Sequence, residues 1–82
     1  MDDKQVIEEK IKTVLSKVLN KKIGEDEKNR PLRELGLDSM GMIEFIPGLE
    51  NKFDIMFDDE DIVPESFETL ASVTELVVKK IN

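Results

Sequence analysis

Apolar residues recur at intervals of three and four positions in three separate segments, and this spacing is the feature that most restricts the fold. The segments run from Asp3 to Leu19, from Ser39 to Phe53 and from Thr69 to Ile81. Such spacing places the apolar side chains on one face of an α-helix and leaves the charged ones on the other. Each helix therefore has one face to bury, and the 82 residues predict a single domain, 1–82, of the all-α class.

The connections between these segments predict one further short helix. Gly24 and Pro31 bracket a polar connection that cannot be helical throughout. Asp58 to Val63 forms one acidic helical turn that Pro64 stops. Residues 55–57 are the one stretch that could be a strand, and a single strand has nothing to pair with. The sequence therefore predicts a small four-helix bundle with three main helices and a short third helix.

Pro47 and Gly48 interrupt the second main helix in its middle. A proline in a helix interior removes one backbone hydrogen bond and clashes with the carbonyl four residues earlier, at a cost of about 3 kcal/mol. Glycine at the next position weakens the helix further. We expect either a kinked helix, bent by more than about 20° between residues 43 and 48, or two short helices that meet near Ile46.

The composition excludes most catalytic and metal sites. The chain has no Cys and no His, so it lacks a thiol nucleophile, a thiolate metal cluster and the usual general base near neutral pH. No apolar run reaches the roughly 20 residues of a membrane span, and the first residues do not read as a signal peptide. We expect a cytoplasmic protein that is not an enzyme and that holds no metal.

Residues 54–65 do not fit a calcium-binding EF-hand loop, because Asp59 stands at the position where the loop needs glycine.

Negative charge is concentrated in one part of the chain. The formal net charge is −7, but residues 38–68 contain ten acidic residues and one basic residue, whereas the rest has a small positive excess. Such a field repels nucleic acid and attracts basic protein surfaces. Solubility alone could explain an acidic composition, but the concentration in one segment favours a docking surface for proteins.

Ser39 is the one residue that the sequence singles out for chemistry. It stands in Leu35-Gly36-Leu37-Asp38-Ser39-Met40, at the predicted start of the second helix. A serine there commonly caps the helix with its hydroxyl, and Asp38 is an equally good cap. The esterase motif G-x-S-x-G does not fit, because Leu37 occupies the first glycine position and no histidine can activate the hydroxyl. What remains is a serine that another protein modifies, at a helix N-terminus that favours a phosphate.

The stretch from Arg33 to Met40 resembles the modification motif of acyl carrier proteins and of the related carriers of polyketide and peptide synthetases. Residues 43–45, 49–55 and 67–70 also look like the corresponding parts of that family, so the resemblance covers nearly the whole chain. It implies a bundle of the acyl-carrier type, in which Ser39 receives 4′-phosphopantetheine from coenzyme A. The thiol of that arm would carry an acyl or aminoacyl group as a thioester.

The resemblance also implies partners. These are a phosphopantetheinyl transferase, an acyl-loading ligase or transferase, and acyl-processing enzymes of fatty acid, polyketide or related biosynthesis that have basic docking surfaces; the carrier itself is expected to be a monomer. The residues expected to dock are Asp38, Met40, Glu44, Glu50, Asp58, Asp59, Glu60 and Asp61. For any one of these acidic residues other than Asp38, an ordinary solvated helix face is the alternative. An unmodified helical module that only docks to or regulates a partner is the alternative function.

Three methionines complete the set of candidate residues. Met40, Met42 and Met56 stand where apolar residues are expected. Methionine adapts to irregular cavities, so these side chains could line a pocket for an acyl chain. Ordinary filling of the hydrophobic core is the interpretation that we favour for them.

Overall fold

The computed structural model describes residues 4–81, and all regular structure in that range is helical. Four α-helices follow one another: α1 (Lys4–Leu19), α2 (Leu32–Leu35), α3 (Ser39–Phe53) and α4 (Leu70–Ile81). Three 3₁₀ turns lie between them, at Glu25–Glu27, Asp59–Asp61 and Pro64–Phe67. The predicted all-α bundle is confirmed. Asp3, where the first helix was expected to begin, lies outside the described residues.

Helix α1 is the centre of the bundle, because both α3 and α4 pack against it. Its buried face consists of Ile7, Ile11 and Leu15, which are at most 2% exposed. This is the face that the spacing in the sequence predicts.

The glycines of α3 allow it to approach α1 closely. A Cβ atom at Gly48 would lie 3.0 Å from Val14 Cγ1, and one at Gly41 would lie 3.5 Å from Val18 Cγ1 and 2.7 Å from Leu37 Cδ1. Because Gly48 lies opposite Val14 and Gly41 lies opposite Val18, α1 and α3 run antiparallel, with the end of α1 beside the start of α3. Gly48, which disfavours a helix in isolation, therefore has a packing role.

Three phenylalanines fasten the connection between α3 and α4 to the core. Phe67 packs edge-to-face against both Phe45 and Phe57, with ring centroids 6.5 Å and 5.9 Å away. All three rings are buried. Aromatic pairs of this geometry contribute beyond the area they bury, so the turns around residues 57 and 67 are held against α3.

Helix α3 continues through Pro47 from Ser39 to Phe53. The expectation of two short helices meeting near Ile46 is therefore wrong, while a bend within one helix stays a prediction. Packing of Phe45 and Leu49, both fully buried, holds the residues on either side of the proline in one helix. The helix ends at Asp54, whose left-handed backbone lets the N–H of the next residue, Ile55, donate to the carbonyl of Glu50 at 3.1 Å.

The connections hold more helical turns than the sequence predicts. Helix α2 was not foreseen, because its single turn is too short for a periodic pattern. The acidic turn is shorter than the predicted span Asp58 to Val63 and covers Asp59–Asp61. Pro64 does not only stop it but also begins the turn Pro64–Phe67, since proline is well suited to the first position of a helical turn.

Replacement of Pro47 by alanine should stabilise the protein. Pro47 is exposed, so the change opens no cavity, and alanine restores the N–H that can donate to the carbonyl of Ile43. We expect the free energy of unfolding in urea to rise by about 1–3 kcal/mol. Asn51→Ala, also exposed on α3, is the control and should add about 0.7 kcal/mol or less. A Pro47→Ala protein no more stable than the Asn51→Ala protein would show that α3 accommodates the proline without strain.

Candidate functional site

Asp38, and not Ser39, caps helix α3. The backbone of Asp38 is extended, and its carboxylate Oδ1 accepts a hydrogen bond from the N–H of Gly41 at 2.8 Å. Its carbonyl accepts the N–H of Met42 at 2.9 Å. Ser39 is consequently the first residue of the helix, its side chain is exposed, and its hydroxyl has no protein partner within residues 4–81. The interpretation of Ser39 as a capping residue is wrong, and the hydroxyl is accessible to another protein.

The loop before Ser39 is fixed by burial and by a left-handed glycine. Leu35 and Leu37 are 2% and 6% exposed, so both side chains are anchored in the core. Gly36 lies between them with a φ of 115°, a conformation that a side chain would strain. The N–H of Leu37 donates to the carbonyl of Leu32 at 3.0 Å. The buried leucines and this hydrogen bond fix the loop, so Ser39 lies at a defined point of the surface.

A cleft of about 460 Å³ opens beside Ser39. It lies between α2, the start of α3 and the 3₁₀ turn Pro64–Phe67. Its apolar walls come from core residues and from Met42, and charged side chains surround them. The residues that line the cleft include Leu32, Arg33, Leu37, Asp38, Met42, Glu65, Phe67 and Glu68.

The residues at the start of α3 fit a phosphodiester on Ser39. The hydroxyl is exposed, and the backbone N–H groups of Ser39 and Met40 have no acceptor in the described part of the chain. Free N–H groups at a helix N-terminus favour a negative group next to them. Attachment of a phosphopantetheine arm would therefore displace no hydrogen bond that holds α3 in place.

The exposed face of α3 next to Ser39 is partly apolar. Met40 and Ile43 are 72% and 69% exposed, and Glu44 lies beside them on the same surface. Met40 therefore does not fill the core, which corrects the favoured interpretation of that residue. Ile43 was missed as a docking candidate, although its position off the buried stripe of Phe45 and Leu49 could have indicated it.

The other two methionines differ from each other. Met42 is half-buried and lines the cleft beside Ser39. Met56 is 78% exposed, so the expectation that it fills the core is wrong as well. Its neighbour Phe57 occupies the core instead, where it packs against Phe67.

The acidic residues of the predicted docking set differ in their environment. Glu44, Asp59 and Glu60 are exposed and have no ion pair or side-chain hydrogen bond within residues 4–81. Glu50 is half-buried, and its carboxylate accepts the N–H of Phe57 at 2.9 Å, which fixes the chain after α3. The predicted docking set thus contains exposed, unpaired carboxylates and others that hold the fold.

Asp58 and Asp61 join the acidic turn to the end of α4. The carboxylate of Asp61 accepts the N–H of Asp58 at 2.8 Å. Lys80 Nζ lies 2.8 Å from Asp61 Oδ2 and 3.3 Å from Asp58 Oδ2. The hydrogen bond from Lys80, with that from the Asp58 N–H, holds the pKa of Asp61 below its ordinary value, and the same contact raises the pKa of Lys80.

Within residues 4–81, no helix is both long and apolar enough to cross a membrane.

Comparison with known proteins gives one family and several relatives. Residues 9–77 match the family model described as a phosphopantetheine attachment site. An acyl carrier protein homolog of Mycoplasma genitalium is 39% identical over 89% of this chain and 82% of its own length. Aminoacyl carrier protein 2 of Bradyrhizobium diazoefficiens is 29% identical over 62% of this chain and 57% of its own length.

A solved structure is similar over nearly its whole length. It is a chain of the crystal structure of the Bradyrhizobium japonicum glycine:[carrier protein] ligase complexed with glycylated carrier protein. The TM-score is 0.78 at 26% identity, and the match covers 87% of this chain and 97% of that chain. This likeness extends to the helical bundle as a whole.

Removal of the Asp61 charge should destabilise the protein in a pH-dependent way. Asp61→Asn keeps an oxygen that can accept the Asp58 N–H but loses the attraction to Lys80. Because the pKa of Asp61 is lowered from 3.8 in the folded state, its charge stabilises the fold above that value. We expect the difference in unfolding free energy between wild type and variant to be constant near pH 6. It should shrink as the pH falls through the lowered pKa.

Asp59→Asn is the matched control for this experiment, since Asp59 is exposed and has no ion pair in the described residues. Urea unfolding from pH 6 to pH 2.5 measures both variants. If Asp61→Asn differed from wild type equally at every pH, the ion pair with Lys80 would contribute nothing to the fold.

Proposed function

Because the chain belongs to the acyl carrier protein family, which carries phosphopantetheine, we propose that Ser39 is the residue that receives this group. A member of this family is a carrier and not an enzyme. When bound, the arm supplies a thiol that holds the cargo as a thioester. The chain itself supplies a defined attachment point, and the tether raises the concentration of the cargo at each partner site.

The observation that carries this proposal is the division of roles between Asp38 and Ser39. Since Asp38 caps α3, the Ser39 hydroxyl is left exposed and without a partner. The other three serines lack this arrangement. Ser16 is half-buried within α1, Ser66 is half-buried in a 3₁₀ turn, and the Ser72 hydroxyl is hydrogen-bonded to Thr69.

The proposed cargo is an acyl or aminoacyl group. Relatives of both kinds support this range, since one is named an acyl carrier protein homolog and another an aminoacyl carrier protein. The solved structure most relevant here holds a glycylated carrier protein with its ligase. A mass spectrum of the protein from its native host would identify the cargo. A role in fatty acid or polyketide biosynthesis stays a prediction. The cytoplasmic location and the monomeric state stay predictions as well.

The proposed docking surface consists of Met40, Ile43, Glu44, Asp59 and Glu60, which we call the α3 docking face. Met40 and Ile43 lie beside Glu44 on α3, and Asp59 and Glu60 on the following 3₁₀ turn add carboxylates that have no partner within the described chain. Such a surface suits a partner with a basic rim around an apolar centre. Partners of this kind would be the phosphopantetheinyl transferase, the loading ligase or transferase, and the acyl-processing enzymes.

The remaining predicted docking residues have a second role. Asp38 caps α3, Glu50 accepts the Phe57 N–H, and Asp58 and Asp61 bind Lys80. Their charges still add to the negative field that steers a basic partner. We propose that they contribute to attraction at a distance, whereas the α3 docking face makes the contacts.

Modification of Ser39 is the direct test of the proposal. Incubation with coenzyme A and a broad-specificity phosphopantetheinyl transferase should add the mass of one arm to the wild type. Ser39→Ala should gain none while keeping its helical circular dichroism spectrum, because the residue is exposed and forms no hydrogen bond that the fold needs. Ser72→Ala is the control and should be modified like the wild type. An unmodified wild type after treatment with several transferases would favour the alternative, a carrier-like module that only docks.

Charge reversal on α3 tests the docking face. Glu44→Lys should slow the transfer of the arm, or the loading of it, by roughly three- to tenfold at low ionic strength. Asp26→Lys makes the same charge change at another exposed site and should have a much smaller effect. Added salt should reduce the difference between the two variants, because it screens exposed charges. Equal rates at low salt would assign docking to another surface.

A further inference from the structure

Arg33 is the one basic side chain among the residues that line the cleft beside Ser39. The other charged residues of that lining are Asp38, Glu65 and Glu68, so the cleft has a net negative charge. A phosphodiester on Ser39 would add another negative charge to this surface. Unless a cation lies nearby, the repulsion opposes the attachment.

The backbone of Arg33 is held firmly, although its side chain is exposed. It belongs to α2, whose Leu32 and Leu35 are each 2% exposed. The N–H of Leu32 donates to the carbonyl of Glu68 at 2.8 Å, and the N–H of Gly36 donates to the carbonyl of Arg33 at 3.2 Å. Arg33 therefore lines the cleft, and its backbone position is fixed by these contacts.

Arg33 also has no carboxylate partner within 4.0 Å in the described chain, whereas the nearby Arg30 has two. Arg30 lies 3.7 Å from Glu34 and 3.9 Å from Glu27. Glu34, the neighbour of Arg33 in the sequence, thus pairs with Arg30 instead. This leaves Arg33 available for an anion that the described chain does not itself provide.

We propose that Arg33 binds the phosphodiester of the phosphopantetheine arm once Ser39 has been modified. This inference rests on the proposed function, since it requires the arm. A guanidinium matches phosphate oxygens with two parallel N–H donors, which an ammonium cannot do as well. The free N–H groups of Ser39 and Met40 at the start of α3 would help to hold the same phosphate. Arg33 is thereby a positioning residue that fixes the first part of the arm at the cleft.

A purely structural role for Arg33 makes a different prediction. If the guanidinium only offsets the charges of Glu65 and Glu68, its removal should destabilise the unmodified and the modified protein equally. If it binds the phosphodiester, the loss should appear in the modified protein alone.

The experiment compares the thermal unfolding midpoint before and after modification. Wild type, Arg33→Gln, Arg33→Lys and Arg30→Gln are each converted fully to the arm-bearing form, as checked by mass spectrometry, and melted at low ionic strength. We expect the modified-minus-unmodified shift of Arg33→Gln to be lower than that of wild type by roughly 1–8 °C, the range for an exposed ion pair in a domain of this size. Arg33→Lys should recover part of the shift, and Arg30→Gln should match the wild type.

Phosphorus NMR of the same samples gives a second measurement that does not depend on stability. The resonance of the phosphodiester should move in Arg33→Gln and stay in place in Arg30→Gln. Equal thermal shifts in all four modified proteins together with an unmoved resonance would overturn the role of Arg33. A wild type that gains no arm would instead overturn the proposed function, and the mass spectrum distinguishes this case.

Discussion

The hydrogen bond from the Gly41 N–H to the carboxylate of Asp38 decides what Ser39 can do. A helix that begins at residue 39 has orphan N–H groups, and one side chain near its start must satisfy some of them. Because Asp38 does this from the position before Ser39, the serine keeps the helical backbone and projects its hydroxyl outward. The buried leucines on both sides of Gly36 fix the direction from which the chain arrives. The placement of the proposed attachment point is thus a consequence of ordinary helix capping.

The acidic residues after Ser39 serve two purposes that composition alone does not distinguish. Some carboxylates hold the connection between α3 and α4: Glu50 binds a backbone N–H, and Asp61 binds both a backbone N–H and Lys80. Others, such as Glu44, face solvent without a partner in the described chain. A hydrogen-bonded carboxylate loses freedom to reorient toward another protein. We therefore propose that the unpaired carboxylates and the exposed apolar side chains of α3 make the contacts with a partner.

The sequence predicts the parts of the structure that follow from periodicity and capping. The buried stripe of α1 and the cap at Asp38 are local features, and each agrees with the structure. The side-chain orientation of Met40 and Met56 was not predictable in this way, because methionine is compatible with the core and with the surface. The bond from Phe57 to Glu50 joins residues seven positions apart, and its formation depends on how the chain turns after α3. Helix α2 is a single turn, and the N–H of Leu32 donates a hydrogen bond to the carbonyl of Glu68. These residues are far apart in the sequence, so no local pattern indicates this bond.

Pro47 and Gly48, which interrupt the helical pattern of α3, have separate explanations in the structure. Gly48 faces α1, where a Cβ atom would approach Val14, so close packing of the two helices explains the absence of a side chain. Pro47 is exposed and lies four residues after Ile43 and seven after Met40. Residues with these spacings share one face of a helix, so the proline ring extends the apolar strip of the α3 docking face. A proline ring has few rotamers, so little side-chain conformational entropy is lost when a partner covers it. The proline that weakens α3 as a helix thus lies where the helix is expected to meet other proteins.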